Sequence, residues 1–569
     1  MSSGTKRFLS GLIFTTMAAG VRAAPEDVDA LLKLVPAEAP VTIVFTNLEK
    51  FDAAVTFFAK SLDPDSEFKG MLADIKKDFG VADWVDFSKP VAMVQTSIAG
   101  AEQNAMIASS PSFNEKVKAL PDAKEEEGVW HLTFGDDKDE LFAVAKGPHV
   151  IAATSRDALT QATNPGKPLA DDLKSSRELL KTRDGLVHVN FESIRPTALN
   201  GIAQGAMMAP MIAMGLAGQG GVDPAAATSL ITTAFEGVKK FVEQIGYIDI
   251  AFGMSAAAAD VTIQASFNEG PIRGYLAKQK PAAGPFFSEI EDQPFFMAMG
   301  WNLPGSESPV FDFVLDKLKA APAQPPPGSP AADPAAGEKS AQASADAWRI
   351  FQDMVRKIEG VDLVVSATKD GMSFHGNYLS ADAKGLLDLF KKSLALPTPL
   401  AKTMGGGISY EPSGSNKVGE VLVEEYAMKA DPANPAGAQW LSVMGEKSRM
   451  SFGVVGNRVH YHSGPPSEVS KAFAAKVEKP MSSAKSVNET VGALPAQRNA
   501  LILIDLPAAI AMIGPMMGLP LPTTAEGTAT GPAIGISATL AGYPARIDLH
   551  IPLKAIERLV RALSPQQPM

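Results

Sequence analysis

The 569-residue chain contains no cysteine. That absence excludes disulfides, thiolate zinc sites, iron–sulfur clusters, cysteine nucleophiles and lipid attachment at a cysteine. Histidine is scarce, with His131, His149, His188, His375, His460, His462 and His550 making seven. No His-Glu-x-x-His zinc motif, Gly-x-x-x-x-Gly-Lys phosphate loop or Gly-x-Ser-x-Gly nucleophile elbow occurs among the residues. A positive charge balance is also missing. The formal charge of −11 argues against an electrostatic footprint for nucleic acid. Nor is there a clean spanning run. Leu199–Gly218 is nearly uncharged, yet it holds Asn200, Gln204, Pro210 and several glycines and lacks close basic flanks. No stable transmembrane segment is expected in the mature chain, and no cofactor or metal is implied.

What is there is globular. Hydrophobic residues make up 46% and charged residues 20%, so a sizeable core forms without metals or disulfides. At the N-terminus, Lys6 and Arg7 precede the apolar stretch Phe8–Ala19, which is too short to span a bilayer. Val21-Arg22-Ala23 supplies small residues at the −3 and −1 positions of a signal-peptidase site. Residues 1–23 are therefore read as a signal peptide, and the product as periplasmic or extracellular.

Four segments share one local pattern of apolar run, Asn or Asp, then Leu or Phe: Thr42–Leu48, Val187–Phe191, Met297–Leu303 and Leu501–Leu506. Apolar strand formers pair into a sheet, and the Asx side chain then caps the exposed amides as the chain turns into a helix. Helical stripes follow at Leu230, Ala234, Val238, Phe241 and Ile245, and at Trp348, Phe351, Val355 and Ile358. Hairpins are expected at Tyr247–Phe267, Val361–Tyr378 and Ile534–Ile551, and a closing helix at Leu553–Leu563. A longer duplication overlaps these units. Phe142–Ile151 resembles Phe452–Tyr461, and each leads through a helix (around Asp157–Thr163 and Ser467–Ala475) to an Asx-ended strand. Two ancestrally related halves follow from that spacing.

The expected fold is α+β, with internally repeated strand–helix–hairpin–helix units forming mixed or antiparallel sheets covered by helices. Its segments are an N-terminal α+β module at 24–184, repeat unit 1 at 185–294, repeat unit 2 at 295–400, a module at 401–497 resembling the second half of 24–184, and repeat unit 3 at 498–569. Unit 2 is interrupted at 320–344 by alanines and six prolines between Pro322 and Pro334. That composition buries too little apolar surface to offset its ordering entropy, so a disordered insert is expected.

Candidate chemistry is sparse. His460 and His462 flank Tyr461 on an expected strand and so share a face; with no third ligand evident they read as solvated or packed. Asp63, Asp65 and Glu67 lack the glycine of a calcium loop, Phe68 standing in its place. Asp136, Asp137, Asp139 and Glu140 read as a polar turn, and Lys124–Glu127 as a solvated face. Gly405-Gly406-Gly407 precedes a strand and makes a poor phosphate cradle. Methionine is more suggestive. Met207, Met208, Met211 and Met214 follow the Asn190 strand, and Met512, Met516 and Met517 follow the Asp505 strand, in equivalent places. Two readings stand: core helices with methionine filling gaps, or an apolar surface whose polarizable side chains accept varied partners.

Leu34-Val35-Pro36-Ala37-Glu38-Ala39-Pro40, then an apolar strand and Asn47-Leu48, resembles exported bacterial proteins of uncharacterised domain families, a likeness extending across roughly 34–563. It implies export and repetition, and brings no activity or functional residues. The expected function is a non-catalytic exported binding or scaffold protein of the envelope or extracellular space, with an apolar ligand or an envelope protein as partner. The competing reading is an envelope-polymer hydrolase acting through paired carboxylates.

Overall fold

A computed structural model of the chain describes residues 25–62, 68, 70–78, 84–98, 103–120, 122–134, 139–173, 175–220, 224–255, 257–302, 346, 349–368, 371–394, 408–430, 435–445, 447–473, 477–516 and 531–563. Residues 1–23, where a signal peptide is expected, residues 320–344, where an insert is expected, and Asp63, Asp65, Glu67, Asp136, Asp137, Gly405–Gly407, Trp348 and Met517 lie outside the described residues. Among the described residues the protein is α+β, and every strand pairing below is antiparallel. It divides into two compact units.

The first unit comprises residues 1–198, 245–268 and 544–560. Its strands are β1 (Val41–Phe45), β2 (Val91–Gln95), β3 (Asn104–Ser109), β4 (Lys124–Glu126), β5 (Val129–Phe134), β6 (Asp139–Lys146), β7 (His149–Ala153), β8 (Gly185–Asn190), β9 (Ile245–Met254) and β10 (Ala258–Phe267). Pairing runs β4-β5-β6-β7-β3-β2-β1-β8-β9-β10. Within Lys124–Glu127, expected as a solvated face, Lys124–Glu126 is exposed and forms the edge strand β4.

These strands read as continuous apolar runs because both faces are buried, so successive residues serve different cores. On β1, Ile43 and Phe45 join a cluster with Phe51, Phe113 and Phe252, under the helices Leu48–Leu62 and Phe113–Lys118. Val44 points the other way, toward Leu31 and Leu32 of the helix Pro25–Leu32 and Leu159 of the helix Arg156–Thr163.

The second unit comprises residues 199–244, 269–543 and 561–569. It contains β11 (Met297–Trp301), β12 (Gly360–Thr368), β13 (Gly371–Leu379), β14 (Ile408–Val418), β15 (Val421–Ala430), β16 (Arg449–Val455), β17 (Arg458–Gly464), β18 (Ala500–Ile504) and β19 (Ile534–Thr539). Pairing runs β14-β15-β16-β17-β13-β12-β11-β18-β19. Strand for strand this matches the order β4 to β9 of the first unit. The same two-sided logic applies: Val364 packs with Phe287 and Leu501, whereas Val365 packs with Phe296 and Met372.

The last strand, β20 (Ala545–Pro552), belongs to the first unit, where it pairs with β10 so that Thr262 faces Asp548 and Asp260 faces His550. The four Asx positions behave as capping chemistry dictates wherever the following residues are described. Asn47 Oδ1 accepts from the Lys50 amide at 3.0 Å, Asn190 Oδ1 from Glu192 at 3.0 Å, and Asp505 Oδ1 from Ala508 at 3.2 Å. Asn302 follows β11 and donates through Nδ2 toward the carbonyls of Lys280 and Pro281. The helix expected over Ser467–Ala475 is shorter: a 3-10 turn at Pro466–Glu468 runs into an α-turn at Val469–Ala472.

Candidate functional site

Three helices fill the chain between β8 and β9: Phe191–Met207, Ala209–Gly220 and Pro224–Gln244. The first starts on the Asn190 cap, and none of its residues is buried. From Pro196 to Val222 no residue carries a charge. Helices can approach closely where side chains are small, and that determines which residues turn inward. Ala209 and Ala213, one turn apart, are fully buried, while the helix carrying them packs on Pro224–Gln244. Gly205 faces the Phe235 ring so closely that a Cβ would sit 2.7 Å from it.

With alanine and glycine at the contacts, the long side chains fall outside. Met207 is 75% exposed, Met208 49%, Met211 59% and Met214 62%. Ile212 is also exposed, as are Val238 and Phe241 of the helical stripe. Core packing therefore does not describe these four methionines. Met512 and Met516 lie in the helix Leu506–Met516, but their side chains, like Met517, fall outside what the structure describes. Isolated exposed apolar residues are ordinary, whereas several on consecutive helical turns form a patch of the kind that marks contact sites.

The titratable groups gather elsewhere. In the first unit His188, Asp249 and Ser176 are buried together: His188 Nδ1 lies 2.6 Å from Asp249 Oδ1, and the Ser176 hydroxyl reaches both Asp249 Oδ2 and Gln264 Oε1. The carboxylate sits between serine and imidazole, so this is a satisfied polar anchor across β8, β9 and β10 rather than a base poised on a nucleophile. In the second unit His375, His460 and His462 share one buried face with Asn377, Asp362 and Arg458. His460 and His462 do share a face, and both are packed. Burial pushes the Asp362 carboxyl up to about 6, against the pull of a Phe287 backbone hydrogen bond and of Arg458, 3.7 Å away. Among the described residues no group of three or more His, Asp or Glu could hold a metal.

A shallow depression lined by Pro412, Gly414, Ser415, Leu422, Glu424, Glu425 and Tyr426 contains two carboxylates. Glu424 and Glu425 are successive residues of one strand and point to opposite faces. Each is engaged, Glu424 by Lys391 at 2.6 Å and Glu425 by Arg449 and Asn416. Asp139 and Glu140 are exposed on β6. No helix among the described residues is long and apolar enough to cross a membrane.

No family model and no curated protein matches the chain. Among solved structures, one titled "Structure of crystal form III of TP0453" aligns over 44% of this chain and 89% of that one, at 11% identity and a TM-score of 0.21. A likeness at that level decides neither fold nor function.

Proposed function

We propose that this chain is an exported, non-catalytic binding or scaffold protein of the cell envelope or extracellular space. It engages an apolar ligand or an envelope protein through the helices that carry Met207, Met208, Met211 and Met214. The observation that carries the reading is the outward placement of all four side chains, on a segment without a charged residue from Pro196 to Val222. Methionine is unbranched and polarizable, so such a surface adapts to partners of varied shape. Charged partners gain nothing from it; apolar ones do.

Export is supported by the basic pair Lys6-Arg7, the short apolar stretch behind it and the small residues Val21 and Ala23. We also read the chain as internally repeated, as two related halves built from strand–helix–hairpin–helix units. The like strand orders, β4 to β9 and β14 to β19, support this, as do the capping bonds of Asn47, Asn190 and Asp505. The test is native purification from the source cells followed by solvent extraction and mass spectrometry. An associated apolar molecule or envelope protein that is lost from the triple variant M207Q/M211Q/M214Q supports the reading. Recovery of the same material with that variant, or of nothing from the native protein, contradicts it.

A further inference from the structure

In the second unit, His375 lies opposite His462 and Asn377 opposite His460 on neighbouring strands β13 and β17. All three imidazoles are buried beneath a short cover, Pro465–Phe473. His375 Nε2 is 3.1 Å from the Ala472 carbonyl oxygen, His460 Nδ1 is 3.4 Å from the same oxygen, and His462 Nε2 is 3.2 Å from the Pro465 carbonyl oxygen. A carbonyl only accepts, so each of these nitrogens carries the proton of a neutral ring. The other nitrogen of His462, Nδ1, is buried with no hydrogen-bond partner. A proton arriving there creates a buried cation whose new N–H meets no acceptor.

The first unit shows that the fold does not require imidazole at this place. On the corresponding pair β3 and β7, beneath the helix Arg156–Thr163, Ala105 lies opposite Ala153 and Ile107 opposite Ile151. Small and branched apolar side chains fill that face. In the second unit three histidines and an asparagine stand there instead.

We propose that Pro465–Phe473 is an acid-released latch, held shut by neutral His375, His460 and His462 and opened when they take up protons. Release uncovers an apolar cluster of Val421, Val423, Val469, Ala472 and Phe473. Burial is the main cause lowering all three imidazoles, with His375 brought down to about 3 by desolvation and by its two imidazole neighbours. Each therefore binds protons more readily in the open form below the ordinary value of 6.5. The closed form keeps its full advantage above that pH and loses it as pH falls toward the depressed values. Neighbouring charges modulate this. Arg458 on β17 opposes protonation of His460, whereas Glu289 favours it; Glu468, in the cover, favours protonation of His462. Asp362 on β12 acts in the opposite sense, since its raised carboxyl takes up a proton in the closed form. From β16, Ser451 and Gly453 face His462 and His460 and bring no charge.

The test is amide hydrogen exchange on the full-length protein from about pH 8 to about pH 4, corrected for intrinsic rates. We expect protection at Val469–Phe473 to fall about tenfold or more below pH 6.5 while Arg156–Thr163 stays protected. H462Q keeps a donor for the Pro465 carbonyl and cannot be charged, so its loss of protection shifts to lower pH. Unchanged protection at pH 4, equal loss at Arg156–Thr163, or an H462Q profile identical to the native one overturns the proposal. Should H462Q not fold, histidine ring resonances of the native protein decide. Joint titration with cover opening supports the latch; independent titration near 6.5 under an intact cover overturns it.

Discussion

Replacing Met207, Met211 and Met214 together by glutamine separates a contact surface from a core. Fully burying a methionine side chain is worth about 1.5–3 kcal/mol. The three side chains are 75%, 59% and 62% exposed, so burial against a partner would bring roughly 1–2 kcal/mol from each, and about 3–6 kcal/mol together. The costs of association reduce that sum, leaving a loss of affinity for an apolar partner of about two to three orders of magnitude. The fold should hardly notice, because exposed substitutions of this kind fall within about ±0.5 kcal/mol. The assay pairs denaturant unfolding with retention on a phenyl matrix and fluorescence of an anilinonaphthalene dye. Unchanged unfolding with weaker retention and weaker dye binding is the expected result. A variant destabilised by more than about 2 kcal/mol, with retention unchanged, would mean that the methionines are packed rather than a contact surface.

Other sites test the architecture. Phe51 is fully buried against Phe45 and Phe252, with ring centroids 5.3 and 5.2 Å apart, so Phe51→Ala should cost about 3–5 kcal/mol in chemical denaturation. Gly453→Ala would put a Cβ 2.8 Å from Val421 and 3.1 Å from the Phe473 ring, and calorimetry should record a loss of about 1–3 kcal/mol. Asp505→Ala removes the acceptor for the Ala508 amide and should lower stability by about 0.5–2 kcal/mol. Asp362 carries a raised carboxyl pKa, so the native state holds an extra proton between its ordinary 3.8 and about 6. Its contribution to stability therefore falls as pH rises through that window. Asp362→Asn should stabilise the protein by about 1–3 kcal/mol near pH 7 and leave it unchanged near pH 4, read from urea melts at both.

Much of the local structure is legible in the residues. The run Thr42–Phe45 ahead of Asn47, and Leu501–Ile504 ahead of Asp505, announce a strand followed by a capped helix, because both choices depend on neighbours within a few positions. His460 and His462 likewise share a face because strand geometry leaves no alternative. Long-range pairing is another matter. Nothing in Ala545–Pro552 names β10 as its partner; the selection rests on contacts such as Thr262 with Asp548 at 2.7 Å, which only the folded chain brings together. The direction of the methionines is hidden for a related reason. Met207 closes one helix while Met211 and Met214 lie on the next, and spacing alone does not tell whether they face solvent. Ala209, Ala213 and the Gly205–Phe235 crossing decide it. The meeting of His375 with His460 and His462 is not legible, because no motif links His375 to a strand more than eighty residues later.

The most direct measurement is methionine oxidation footprinting with dilute peroxide, on the purified protein and in intact cells. Met106 and Met481, both fully buried, serve as references. Met207, Met208, Met211 and Met214 should oxidise well ahead of these two in the purified protein, and an occupied surface should slow them in the cell. Four methionines as inert as Met106 in solution, or equally reactive in both settings, would contradict the proposed contact surface.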